Sequence, residues 1–168
     1  QLAKIAGAMV STTVSSDAKA QAARQLGADA VIYYRQEKIA DAVARLTGGE
    51  GFDIVFDTVG GDALAASFQA VRPGGTVVAI AARSTQDLSP LHARGATLHV
   101  VLIVHPLLSG KGRERHGAIL RSLARLVDSG RLRPLLDPEV FAFRDAAGAH
   151  RKLESGRALG KIRLRAQF

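Results

Sequence analysis

The amino-acid sequence predicts a doubly wound α/β fold built on a mostly parallel sheet. Three observations predict it. Short β-branched or apolar runs alternate with helical segments of about ten residues, the pattern of repeated βαβ units. The runs Thr76–Ala81 (TVVAIA) and Thr97–Val104 (TLHVVLIV) are nearly continuously apolar, as strands covered on both faces are. The chain has 168 residues, 47% of them hydrophobic, which suits one ordinary domain with a real core and excludes a disordered basic tail.

Gln1–Ala6 reads as a helix with Leu2 and Ile5 on one face and Gly7 as its stop. No initiator Met and no helix-start signal precede it. Met9–Val14 (MVSTTV) is strand-like. Ser15 and Ser16 can cap a helix over Asp17–Leu26 that ends at Gly27. Ala30–Tyr33 is a short strand. Gln36–Thr47 is a helix with Ile39, Val43 and Leu46 on one face, closed by Gly48-Gly49. Phe52–Phe56 (FDIVF) is a strand, and Asp62–Val71 a helix with Leu64 and Phe68 four apart. Arg72-Pro73-Gly74-Gly75 forms a turn into the strand Thr76–Ala81. After the strand Thr97–Val104 comes a helix over Glu114–Ser129. It sets Ile119, Leu120, Leu123, Leu126 and Val127 against Arg115, Arg121 and Arg125. Val140–Phe143 is a strand, Asp145–Glu154 a helix and Lys161–Arg165 (KIRLR) a closing strand.

The net charge is +8, and its distribution decides what it means. Residues 1–109 hold nine Lys/Arg and nine Asp/Glu, so the whole charge lies in residues 110–168, with 14 against six. In that basic block the charges oppose apolar stripes. Its aromatics are Phe141, Phe143 and Phe168, which offer no stacking platform for bases. A solvated face is the better reading, and no nucleic-acid partner is expected. The absence of cysteine excludes disulfide scaffolds, thiolate zinc sites and cysteine nucleophiles. His92, His99, His105, His116 and His150 lack metal-ligand spacing, so no metal is expected. No run approaches the roughly 20 apolar residues that span a bilayer. A cytoplasmic protein without membrane contact is the expectation.

In a doubly wound sheet the ligand lies at the carboxyl ends of the strands. The informative loops there are Ser15-Ser16-Asp17, Asp57-Thr58-Val59-Gly60-Gly61 and Ala81-Ala82-Arg83-Ser84. Around them the strings QLAKIAGA, VSSDAK, LGADAVIYYR, GFDIVFDTVGG, RPGGTVVAIA and GKIRL occur in one order and spacing. Together they resemble the cofactor half of the medium-chain dehydrogenase/reductases, specifically the zinc-independent quinone oxidoreductase (zeta-crystallin-like) branch. The resemblance covers nearly the whole chain.

It implies a Rossmann-type sheet and an NAD(P)H-dependent transfer of hydride to a quinone or other activated alkene or carbonyl. It also implies that the G-x-G-x-x-G fingerprint and its central strand belong upstream of Gln1. The chain is therefore expected to be a fragment lacking that strand, inactive alone; an intact mass near 17.7 kDa would count against missing sequence. By the same likeness, residues 1–135 form the nucleotide-binding domain and residues 136–168 return to the catalytic domain. Enzymes preferring NAD usually carry Asp or Glu at the end of the second strand. The matching position here is Ser15, with Lys19 four residues on. The N-Y-R string of similar proteins matches Tyr33-Tyr34-Arg35. Ser15, Ser16, Lys19 and Tyr34 are thus candidates for the 2′-phosphate of NADPH, while Asp17 leaves NADH open. Alternatively, the serines only cap the helix and Lys19 is solvated.

For the nicotinamide end the resemblance points to Val59, Gly60 and Ala81, with Val101 or Leu102 nearby; simple packing is the alternative for each. Arg163 would approach the pyrophosphate unless it is an exposed strand charge. No catalytic residue is identifiable. Thr97–Val104, as the sheet's apolar edge, is expected to pair across a two-fold axis into a homodimer. Rival readings are an S-adenosylmethionine-dependent methyltransferase, because FDIVFD followed by RPGG also occurs there, and a basic nucleic-acid-binding module. Tyr34 and Lys38 have the Y-x-x-x-K spacing of short-chain dehydrogenases, but Tyr34 ends a strand instead of lying on a long helix.

Overall fold

Every strand pairing is parallel, as the alternation of strand and helix requires. The structure, a computed structural model, describes residues 1–166. Phe168, one of the aromatics of the basic block, lies outside the described residues. The elements run α1 (Leu2–Ile5), β1 (Ser11–Val14), α2 (Asp17–Gln25), β2 (Ala30–Tyr33), α3 (Ile39–Thr47), β3 (Phe52–Asp57), α4 (Asp62–Ala70) and β4 (Val71–Ala79). There follow α5 (Ser89–Arg94), β5 (Thr97–Val100), α6 (His105–Ser109), α7 (Arg113–Asp128), β6 (Leu136–Ala142), a 3-10 turn (Phe143–Asp145), α8 (Ala146–Glu154) and β7 (Lys161–Arg165).

Three sheets result: β1 with β2, β3-β4-β5, and β6 with β7. Among the described residues, β1 and β3 are each hydrogen-bonded along one edge only. Two apolar clusters hold the first two sheets. Leu64 and Phe68 of α4, four apart and so on one face, meet Val71, Val77 and Ala79 of β4 and Leu91 of α5. Val14 and Val31 pack against Ala20 of α2, with the Tyr33 ring at the margin. By contrast, α7 buries no residue: Ile119 and Leu120 are exposed, and Leu123 and Leu126 half-buried.

Several expected boundaries move, each for a local reason. The Arg72–Gly75 turn lies within β4. Phe52 pairs with Val71 and Ile54 with Thr76, so the turn is looped out of the ladder while the strand direction survives. The last apolar run is strand only to Val100. The Val101 N–H still donates to the Ala79 carbonyl at 2.9 Å, and the chain then turns into α6, where Pro106 suits a helix start. Helices α5 and α6 are too short for a period to show. What marks them is Pro at the start and glycine with positive φ at the end, Gly95 and Gly110.

The C-terminal β6–α8–β7 unit is organised by Asp137, which is only 1% exposed. Its carboxylate accepts from the backbone N–H groups of Glu139 and Leu159, both at 2.9 Å, and from the Lys152 ammonium. The Lys152 contact, followed by those N–H groups, holds the Asp137 carboxyl at about 2. This unit meets the rest through a few polar contacts. The Gln1 amide exchanges hydrogen bonds with the backbone of Arg133 at 2.8 and 3.0 Å, and Lys19 Nζ donates to the Gly156 carbonyl at 3.0 Å.

Candidate functional site

Two clusters of loops lie at the carboxyl ends of the strands. The first follows β1 and β2, whose register pairs Val14 with Tyr33 and so brings the segment after each strand to the same end. Ser16 caps α2, its hydroxyl accepting from the Lys19 N–H at 3.4 Å. Ser15 is half-buried beside it and Lys19, one turn in, is half-buried too. Tyr34 is 54% exposed, and the Arg35 guanidinium stands 5.8 Å from its ring centroid. Ser15, Ser16, Lys19 and Tyr34 therefore share one end of one sheet. The Lys19 ammonium is already directed by the Gly156 carbonyl.

Tyr33 was not singled out by its sequence context. Strand alternation puts its ring on the same face as Val31, against the Val14–Ala20–Val31 cluster. From there its hydroxyl donates to Asp17 Oδ1 at 2.8 Å. That hydrogen bond raises the Tyr33 phenol above its ordinary value, because ionising it would place two anions side by side.

The second cluster follows β3, β4 and β5, aligned through Asp57, Ala79 and Val100. Asp57 is buried, and its Oδ1 accepts from the N–H groups of Gly60 at 2.7 Å and Val59 at 3.2 Å, winding the loop tightly. Gly60 has φ +80°, and a Cβ built on it would collide with the Ala81 carbonyl oxygen. Gln86 Nε2 donates to the Gly61 carbonyl at 3.1 Å, joining the loop after β4 to the one after β3. Val59 is 74% exposed at the mouth of this cluster, while Val101 and Leu102 lie exposed just past β5. Asp57 and Gln86 also escaped the sequence. A polar residue closing an apolar strand signals the first; no local signal marks the second.

Arg163 stands apart in β7, its Nη2 donating to the Asp137 carbonyl at 3.3 Å. Among the described residues no group of three His, Cys, Asp or Glu side chains converges as metal ligands, and no helix is long and apolar enough to cross a membrane.

The geometry suits an extended ligand. Hydroxyls, an ammonium and an exposed phenol gather at one sheet end without a carboxylate at Ser15, which fits a phosphate. The missing Cβ of Gly60 lets the loop after β3 close directly onto the Ala81 backbone, so the two loops present a surface of small residues and backbone.

A family model described as zinc-binding dehydrogenase matches residues 26–164. A quinone oxidoreductase of Salmonella typhimurium is 33% identical over 162 residues, which cover 92% of this chain and 48% of that protein. A phenolphthiocerol/phthiocerol polyketide synthase polypeptide of Mycobacterium tuberculosis is 32% identical over 166 residues, 96% of this chain and 7% of that polypeptide. The crystal structure of an alcohol dehydrogenase superfamily protein from Novosphingobium aromaticivorans superposes with a TM-score of 0.91 at 34% identity, covering 99% of this chain and 51% of that one. The chain thus spans about half of the free-standing relative and a small part of the synthase.

Proposed function

Because the chain belongs to the zinc-binding dehydrogenase family, we propose that it forms the NADPH-binding portion of a zinc-independent oxidoreductase acting on a quinone or another activated alkene or carbonyl. NADPH, when bound, supplies the hydride. The observation that carries the reading is the shared strand end that unites Ser15, Ser16 and Lys19 with Tyr34. In this reading the serine hydroxyls and the α2 N-terminus receive the 2′-phosphate, and the Lys19 ammonium, which donates to the Gly156 carbonyl in the structure, turns from it to neutralise the phosphate. Tyr34 presents its ring to the adenine side. Val59, Gly60 and Ala81 form the wall against which the nicotinamide lies, with Val101 and Leu102 closing it from β5.

What this portion contributes to catalysis is placement. A ring laid flat on the joined Gly60 and Ala81 loops exposes one face, and the exposed apolar side chains of Val59, Val101 and Leu102 keep water from the other partner. None of the 168 residues is a cysteine, so this portion brings no thiolate ligand to a zinc ion. The likeness to the quinone oxidoreductase of Salmonella typhimurium supports a quinone as acceptor.

Titration of the intact protein with NADPH, followed by coenzyme fluorescence, tests the reading. NADPH should bind, S-adenosylmethionine should not, and Lys19→Ala should weaken NADPH about tenfold or more by removing a charge-assisted hydrogen bond. Binding of S-adenosylmethionine alone, or a Lys19→Ala protein that holds NADPH as tightly as its parent, would overturn it.

A further inference from the structure

Asp17 is the residue that does not fit an NADPH site. It is an exposed carboxylate at the first position of α2, next to Ser16 and two residues from Lys19. Facing a dianionic 2′-phosphate it would repel; facing an unphosphorylated ribose it would accept from the 2′-hydroxyl. Left free to rotate, it would pull the site toward NADH.

The side chain is not free. Tyr33 OH donates to Asp17 Oδ1 at 2.8 Å, from a ring anchored against Val14, Ala20 and Val31. The anchor and the strand register fix where the hydroxyl stands, so the carboxylate is held toward β2. Tyr34, the next residue, lies in the turn beyond β2 and is exposed beside Arg35.

We propose that Tyr33 is a specificity-determining positioning residue: by holding the Asp17 carboxylate it leaves Ser15, Ser16 and Lys19 to read a 2′-phosphate, and so sets the preference for NADPH over NADH. The inference rests on the assignment of those residues to the adenosine end of the coenzyme. Tyr33 touches no coenzyme in this scheme. It acts through Asp17, and its influence exists only while Asp17 carries a charge.

A double-mutant cycle on the intact protein tests it, with Kd for NADPH and for NADH measured separately by fluorescence titration. Tyr33→Phe keeps the ring and its packing and removes only the hydroxyl. It should lower the NADPH-to-NADH preference about tenfold, equivalent to about 1.4 kcal/mol, mainly by weakening NADPH. Asp17→Asn should raise the preference. In the Asp17→Asn background the Tyr33→Phe change should have no further effect on the ratio.

A merely structural tyrosine would weaken both coenzymes alike and leave the ratio unchanged, and that result would overturn the inference. So would a Tyr33→Phe effect that persists after Asp17 is neutralised. Failure of the underlying site is read on the parent protein: if that binds neither coenzyme, the assignment of the site falls before any variant is compared.

Discussion

Replacing Gly60 by alanine tests the second loop cluster most directly, because its cost can be separated into two parts. The backbone there has φ +80°, and an L side chain in that region costs about 1–2 kcal/mol. The added Cβ would also meet the Ala81 carbonyl oxygen, which belongs to backbone and cannot swing away. Forcing such an overpacked contact adds about 1–3 kcal/mol. Gly60→Ala should therefore destabilise the chain by about 2–5 kcal/mol in total. Gly48 provides the control. It closes α3 with φ 65° and ψ 16°, and a Cβ there would meet nothing within 4 Å. Gly48→Ala should cost only the conformational part, about 1–2 kcal/mol. Urea unfolding followed by circular dichroism, at equal m-values, gives both numbers. In a thermal scan each kcal/mol corresponds to about 2–4 °C at this chain length. Equal destabilisation by the two substitutions would refute the claim that Gly60 is demanded by the approach of the Ala81 backbone. The same wedge should weaken NADPH binding, because it parts the Gly60 loop from Ala81.

The β4 core should respond more strongly than any surface site. Phe68→Ala removes a ring only 1% exposed and should cost about 3–5 kcal/mol in urea unfolding; a loss below 1 kcal/mol would show that the α4–β4 contact is dispensable. Asp137 predicts the direction of acid sensitivity. Its folded value of about 2 lies below the ordinary 3.8, so the stabilisation is fully present above the ordinary value and fades as pH falls toward 2. Asp137→Asn should therefore unfold at a lower temperature than its parent at pH 6, with the gap narrowing at pH 2 to 3; a gap independent of pH would refute this. The segment Thr97–Val104, whose β5 edge ends at Val100 and whose following residues to Val104 are exposed and apolar, is proposed to join two copies. Light scattering of the intact protein should give twice the protomer mass, and Val100→Asp should return it to one; a parent that is already monomeric would refute the interface.

Periodicity disclosed the parts of the fold with long repeating signals. Leu64 and Phe68, four apart, foretold the buried face of α4, and the run Val77–Ala79 foretold a central strand. Competition between neighbours was harder to see. Nothing in Arg72-Pro73-Gly74-Gly75 distinguishes a turn between elements from one looped out of a continuing strand; the pairing of Phe52 with Val71 decides it. The candidate site divides similarly. Ser15, Ser16 and Gly60 follow from cap chemistry and loop composition. The Tyr33–Asp17 bond and the Lys19–Gly156 contact span 16 and 137 residues, and depend on which face a side chain takes after folding. The pattern Tyr33-Tyr34 offers two phenols, and where β2 ends tells them apart: Tyr33 closes the strand against the cluster, and Tyr34 stands exposed in the turn after it.

The polar attachment of the β6–α8–β7 unit predicts that it opens separately from the β3–β5 sheet. Apolar burial ties β3, β4 and β5 together through α4, whereas the last sheet is organised around one carboxylate and tethered by Gln1–Arg133 and Lys19–Gly156. Amide hydrogen exchange should resolve them. Phe68→Ala should accelerate exchange across β3–β5 while leaving β6 and β7 as protected as before. Lys19 reaches from α2 to the Gly156 carbonyl of the last unit, so a ligand that draws its ammonium away would loosen the tether it now provides. Occupancy at the adenosine end would then be reported, through one side chain, in the exchange rates of a sheet the ligand never touches.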